Sequence, residues 1–337
     1  MNASTHTGGE FRDDRRAAGA QRLPAGTLKP LTELDNLRAS LAIAITLIGT
    51  AAIITAAIVL GTWWAYAIAI PLIATRQHAM FVLVHETAHY RLFAHRGLND
   101  FCGRALGAIT GISMCTYRVI HRLHHNHLFG PLDPDVALNG GYPRGRAYLW
   151  RKLAIDLTGL TAAKTYGYFF GSPSQNTAAD GPLRPLDDTS PALRDAAARD
   201  RRTVIATQLL MPALIGAIGG LHALGLYLLL WLLPLATVLQ LILRLRAIFE
   251  HGAPTDAQSP FQAARTNLPG PLARLTLFPH NVNYHIEHHL YPAVPQYHLP
   301  ALHRALAARG DLAGANVRSP FQTWRRVHAP RALGLRS

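Results

Sequence analysis

The chain has 337 residues, 49% of them hydrophobic, and 33 Lys and Arg against 19 Asp and Glu give a formal net charge of +14. That balance would suit a nucleic-acid binder, yet no helix-turn-helix, zinc-finger or RNP pattern is present, and the apolar residues collect in long blocks with arginine between them. Two cysteines, Cys102 and Cys115, exclude a disulfide framework and a cysteine-held iron–sulfur centre.

In chain order, residues 1–36 read as a mobile, basic cytoplasmic tail, polar and without the apolar core of a signal peptide. Residues 37–84 hold two apolar stretches separated only at Gly61. Each is long enough for the roughly 20 residues that cross a bilayer, so they form a first transmembrane hairpin. Trp63, Trp64 and Tyr66 anchor it at the far interface, and Pro71 is placed to kink its second helix. Residues 85–202 form a cytoplasmic and interfacial segment. Its run "FCGRALGAITGISMCTY" is too short and Gly-rich for a span, "RAYLWRKLAIDLTGLTAAKTYGYFF" reads as an interfacial helix, and residues 171–191 read as a loop. Residues 203–249 form a second hairpin turning at "GGLHALG", and 250–337 return to the cytoplasm. Arginines flank both hairpins on one side, which makes that side cytoplasmic. The expected fold is an all-α integral membrane protein of four transmembrane helices in two hairpins, with the tail, 85–202 and 250–337 together in the cytoplasm.

The 18 histidines matter by their grouping. "HETAH" places His85 and His89 one helical turn apart, "HRLHH" groups His121, His124 and His125, and "HIEHH" groups His285, His288 and His289. Positions i, i+3 and i+4 share a helix face, so each group aims its imidazoles at a common point. HETAH also fits the H-E-x-x-H of zinc proteases. A protease zinc takes three protein ligands, however, and would leave at least five clustered histidines without a purpose. A metal transporter would carry its ligands within the spans rather than beyond their ends. Eight imidazoles serve two metals, and redox-active ions at a membrane face point to O₂ chemistry with iron. Glu86 then orients a ligand from behind.

The three groups, in this order and with two spans between the second and third, resemble the histidine boxes of the integral-membrane fatty acid desaturase family over about Val59 to Leu306. The resemblance implies four membrane helices under a cytoplasmic cap, two iron ions held almost wholly by histidine, and O₂-dependent insertion of a double bond into a fatty acyl substrate carried as lipid, acyl-CoA or acyl-carrier. It implies a further ligand, His251 in "RAIFEHG", and an asparagine, Asn281 or Asn283, to hold an iron-bound water. His127 and His280 fit a ligand or an interfacial role equally. Asp133 and Asp135 in "PLDPD" fit a turn and helix cap around Pro134 or a hydrogen bond to a ligand imidazole, and Arg76, inside the second span, fits a substrate head group or a reach up to the interface. A hydroxylase, a ketolase or a desaturase of a small amino-acid-like molecule would use the same boxes. With too few cysteines and no heme-domain His-Pro-Gly-Gly, the two electrons per cycle must come from a separate ferredoxin, cytochrome or reductase, and membrane lipid is the remaining partner.

Overall fold

A computed structural model describes residues 22–136, 141–173, 181, 184–187 and 189–329. Residues 1–21 of the expected tail, and parts of the expected 171–191 loop, lie outside the described residues. Residues 22–36 do not hang free: α1 (Ala25–Leu31) follows a buried Leu23 whose amide donates to the Tyr291 hydroxyl, and the Asp35 amide donates to Tyr297.

Two long helices come next. Asp35 caps α2 (Asn36–Leu60) by accepting from the amides of Leu37 and Arg38. Gly61, at φ 60°, then turns the chain in the left-handed conformation that glycine adopts without strain. The return helix α3 (Trp63–Ala88) runs through Pro71 and ends at the first histidine pair. Its apolar window is 61% buried against 17% for α2, so α3 is the central column and α2 its outer neighbour. The apolar run read as interfacial is two helices, α4 (Arg96–Thr110) and α5 (Met114–His127), packed on α3. Gly103 permits the contact: a Cβ there would sit 2.2 Å from the Thr87 hydroxyl. The expected interfacial helix is likewise divided at Gly159, φ 81°, into α6 (Arg146–Leu157) and α7 (Ala162–Phe169).

From Pro191 to His251 the chain is helical for 61 residues: α8 (Pro191–Tyr227), a π turn at Leu228–Leu232, α9 (Leu233–Ala236) and α10 (Val238–His251). Among the described residues, this run, α2 and α3 are the three helical stretches long and apolar enough to cross a membrane, against the four separate spans expected. The third is about twice the length a bilayer needs. Gly220 interrupts it with a non-helical φ of 69° and ψ of −171°. On either side of that break, Gln208 donates to the Ala108 carbonyl and Trp231 to the neighbouring Ile109 carbonyl. Residues 23 apart would stand about 35 Å apart on one straight helix. Meeting the same end of α4 requires the chain to double back at Gly220.

Beyond α10 lie α11 (Pro260–Ala263), β1 (Thr266–Asn267), α12 (Pro271–Thr276), α13 (His285–Leu290), α14 (Leu299–Ala308), β2 (Val317–Arg318) and α15 (Pro320–Val327). The two short strands pair in parallel, Thr266 with Val317. The main apolar core lies among α3, α4, α5 and the 191–251 run, and a second one, built from Tyr284, Ile286, Leu290 and Leu302, supports α13.

Candidate metal centre

Four chain segments bring nine histidines together. The end of α3 supplies His85 and His89. Its last carbonyls are taken by Asn99, which donates to Thr87, and by Arg118, whose guanidinium bonds Thr87 and Ala88 and pairs with Asp100 at 2.6 Å. A cation at a helix C-terminus is favoured by the helix dipole, so Arg118 both caps and braces the first pair. Ser113 caps α5 by accepting from the Thr116 amide, and α5 presents His121, His124 and His125. His251 ends α10, and α13 carries His285, His288 and His289.

The imidazole nitrogens fall into two groups, each with its ligand atoms within 4.8 Å of one another: His85, His89, His121, His125 and His288; and His124, His251, His285 and His289. The groups are not the three boxes. In "HRLHH" the i and i+4 residues, His121 and His125, join the first group while His124 crosses to the second. In "HIEHH" the i and i+4 residues, His285 and His289, join the second while His288 crosses to the first. The expectation that each box converges on one point is thus corrected: on a helix the i and i+4 side chains nearly superimpose, while i+3 points about 100° away from i+4.

Hydrogen bonding in the second group aims its ring nitrogens at a common point. His124 Nδ1 donates to Asp133 Oδ1 at 3.0 Å, and His251 Nδ1 donates to the Ala263 carbonyl at 3.3 Å. With Nδ1 donating, each ring turns its Nε2 inward, and those two Nε2 atoms stand 3.2 Å apart. A proton shared between them or a metal ion beside both satisfies the pair, and a metal also serves the nitrogens around them. His285 Nε2 crowds the same space, 2.7 Å from His251 Nε2 and 3.1 Å from His289 Nε2. In the first group His125 Nε2 lies 3.1 Å from His121 Nε2 and 3.0 Å from His288 Nε2, and the buried His85 Nε2 has no hydrogen-bond partner. Adjacent ligands of a metal bound at about 2.1 Å are about 3 Å apart, so the donor sets fit two ions. Burial pushes His121, His125, His285 and His289 well below the ordinary imidazole pKa, and His288 down to about 3, which keeps them in the neutral form that ligates.

That neutrality has a thermodynamic consequence. Unfolded, these rings titrate near 6.5; folded, they refuse the proton. Below about pH 6.5 the unfolded chain therefore binds more protons than the native one, and stability falls as pH falls. Protonation also competes with metal. The thermal midpoint of the detergent-solubilised protein should hold between pH 8 and pH 7 and drop steadily from about pH 6.5 to pH 5; an unchanged midpoint across that window would contradict the neutral cluster.

The remaining expected residues are distributed unevenly. Asp133 is fully buried and holds His124 while also accepting from the amides of Phe129 and Asp135. Asp135 lies 3.5 Å from His124 Nδ1 and takes the Tyr168 hydroxyl. Replacing Asp133 by Asn should weaken metal binding at the second group by about 10- to 100-fold, measured by competition with a chelator. Glu86 does not hydrogen-bond a ligand: it stands 4.0 Å from His85 Nδ1 and accepts the Gln296 amide at 3.0 Å, tying α3 to the loop after the third box. The Asn281 amide donates to the Gln296 carbonyl and that of Asn283 to the Asn267 carbonyl, while the buried Asn283 Oδ1 has no hydrogen-bond partner. Arg76 donates to the Leu275 carbonyl and His280 meets Thr46, so the first hairpin is joined to α12 and to the segment that follows it. His127 is half-buried and belongs to neither group.

Four residues were missed. Glu250, buried beside His251, takes Arg246 Nε at 2.7 Å and lies 3.8 Å from His285 Nε2. Glu287, inside "HIEHH", is fully buried, accepts from Thr266 and lies 2.5 Å from His303 Nδ1. Adjacency to a ligand histidine was the available signal for both acids. Tyr117 stacks on His121 with ring centroids 5.1 Å apart, and only its helical spacing from His121 hints at this. Arg265, taken up in the Discussion, had no signal of this kind.

Fold and site together define a largely helical protein with membrane-length apolar helices and two buried histidine clusters suited to metal. The fatty acid desaturase family pattern matches residues 61–328, and the chain belongs to that family of oxidoreductases. It is similar to dihydrorhizobitoxine desaturase of Bradyrhizobium elkanii, 26% identical over 300 residues, which cover 83% of this chain and 78% of the relative. It also resembles the Delta(8)-fatty-acid desaturase of Helianthus annuus, 32% identical over 80 residues, 23% of this chain and 17% of that one.

Proposed function

We propose that the protein is an O₂-dependent, membrane-embedded di-iron desaturase. One iron is held by His85, His89, His121, His125 and His288, the other by His124, His251, His285 and His289. The observation that carries this reading is the convergence of nine imidazoles in two buried groups, with the Nε2 atoms of His124 and His251 turned inward by a hydrogen bond on the far side of each ring. Bound iron, with O₂, supplies the oxidising power to remove hydrogen from an unactivated methylene, chemistry beyond protein acids and bases. The chain's part is to hold. Asp133 and the Ala263 carbonyl fix ring tautomers, burial keeps the imidazoles neutral, and the packing of α3, α5, α10 and α13 limits water at the reacting centre.

The two hairpins, 37–84 and 203–249, cross the membrane four times in this reading, with the reversals at Gly61 and Gly220 on the far side and the histidines on the cytoplasmic side. The substrate is an acyl chain carried by lipid, coenzyme A or carrier protein, and electrons arrive from a separate protein. A second reading, a small molecule such as dihydrorhizobitoxine, is favoured by the far greater length of chain shared with that enzyme. Expression in a host of known lipid composition tests both. Lipid species lighter by two hydrogens support the acyl reading, and the same loss confined to small metabolites supports the second. Products heavier by one oxygen, or purified protein loaded with a single zinc, would refute desaturation.

A further inference from the structure

We propose that the face formed by α6 and α15 is the docking site for an acidic one-electron carrier protein. This rests on the desaturase reading, which requires outside electrons. Each double bond consumes them in fixed proportion: one –CH₂–CH₂– unit, one O₂, two electrons and two protons give one –CH=CH– unit and two waters. The carrier is oxidised twice per turnover, and O₂ is the terminal acceptor.

Charge comes first. Arg144, Arg146 and Arg151 lie exposed on or just before α6, and Arg325 is exposed on α15, with half-buried Arg318 and Arg326 beside it. Between residues 141 and 157 the single acid is Asp156, buried and bonded to Arg244; between 317 and 329 there is none. A one-sign patch of this kind steers an oppositely charged partner and raises its rate of encounter.

Aromatic rings occupy the middle of the patch. Trp150 is 53% exposed and Phe321 67%. Trp150 meets Trp324 edge-on at 5.6 Å, and Trp324 meets His328 at 4.1 Å. Trp and Arg are the residues enriched in the energetic centres of protein interfaces. These rings also lead inward. Trp324 packs against the buried cluster of Val82, Phe249, Phe278 and Val282, and Phe249 lies two residues before the proposed ligand His251. A polar route runs beside it, from the Thr323 hydroxyl to Asn267 and from the Asn267 amide to the Phe249 carbonyl. Anionic lipid would explain the arginines but has no use for a path of rings that begins at the surface and ends beside a metal cluster. A redox partner uses both.

The test uses the full-length protein in nanodiscs and an acidic [2Fe–2S] ferredoxin as probe. Wild-type protein should bind it, more weakly as salt rises. The double variant R151E/R325E should lose about tenfold or more in affinity, and W150A should slow reoxidation of reduced ferredoxin. Both should match wild type in iron content and in turnover driven by a small chemical reductant. No ferredoxin binding by wild type, or wild-type binding by R151E/R325E, overturns the proposal. So does an R151E/R325E variant whose only loss is affinity for anionic nanodiscs, since that assigns the patch to lipid head groups. Wild-type iron content and chemically driven turnover report separately on the desaturase reading.

Discussion

His251→Ala should strip one metal from the protein and abolish turnover, and should do so more completely than His89→Ala. The two clusters are not equal: five imidazoles face the first and four the second. Removing one of five leaves a set still capable of holding an ion, whereas removing one of four leaves three. His251 also supplies one of the two inward-turned Nε2 atoms, so its loss takes away half of that pair. Metal analysis should find about two irons per chain in the wild type, about one in His251→Ala, and between one and two in His89→Ala. His251→Ala should not desaturate and His89→Ala only in proportion to its retained second iron, because the chemistry asked of the site needs both ions. The reverse order of metal loss would show that the clusters are wrongly partitioned, and full activity in either variant would remove these histidines from the site.

The partition itself was not legible in the sequence, although most of its members were. HxxxH and HxxHH spacings mark a helix face, and α3 and α5 present theirs on regular helices. The sequence spacing could not say that His124 leaves its neighbours, because that depends on where α10 and α13 end relative to α5, a matter of packing among segments more than 100 residues apart. The turn at Gly61 was legible for a local reason, glycine where the backbone takes positive φ, and the stretch "GGLHALG", read as a second turn, contains Gly220 at φ 69°. Residues 22–36 were read as tail from their polar composition, yet Leu23 and Asp35 find partners near the third box. Asn281 and Asn283 were named by residue type; the amide of each meets a backbone carbonyl, and Asn283 keeps a buried oxygen with no hydrogen-bond partner.

Arg265→Met should unfold the end of α10 and release the second metal, although Arg265 touches neither ion nor ligand ring. Its side chain is fully buried, and among the described residues no carboxylate pairs with it. It donates to the carbonyls of Ile248 and Phe249 at 3.2 and 3.1 Å, and to those of Gly252 and Ala253 at 2.7 and 3.3 Å, while its Nε reaches Asn316. These carbonyls flank His251 on both sides, where a helix end leaves acceptors unmatched and its dipole favours a cation. Two residues earlier, the Ala263 carbonyl fixes the His251 ring; one residue later, Thr266 holds Glu287 beneath the third box. The segment therefore sets His251 against His285 and His289. The carbonyls of Ile248, Phe249 and Ala253 keep donors in the Gly252 amide, Asn267 and Arg326, so methionine chiefly strands the Gly252 carbonyl, at a cost of about 1–3 kcal/mol. Lysine, with a point charge in place of a fork, can reach some of the carbonyls but not all, and should restore part of the stability. Chelator competition should then rank wild type above Arg265→Lys and Arg265→Met last, with the loss confined to one of two ions. Hydrogen exchange should quicken at residues 248–253 in the same order. Equal loss of both ions, or unchanged exchange there, would show that Arg265 supports the fold at large and does not hold His251 in place.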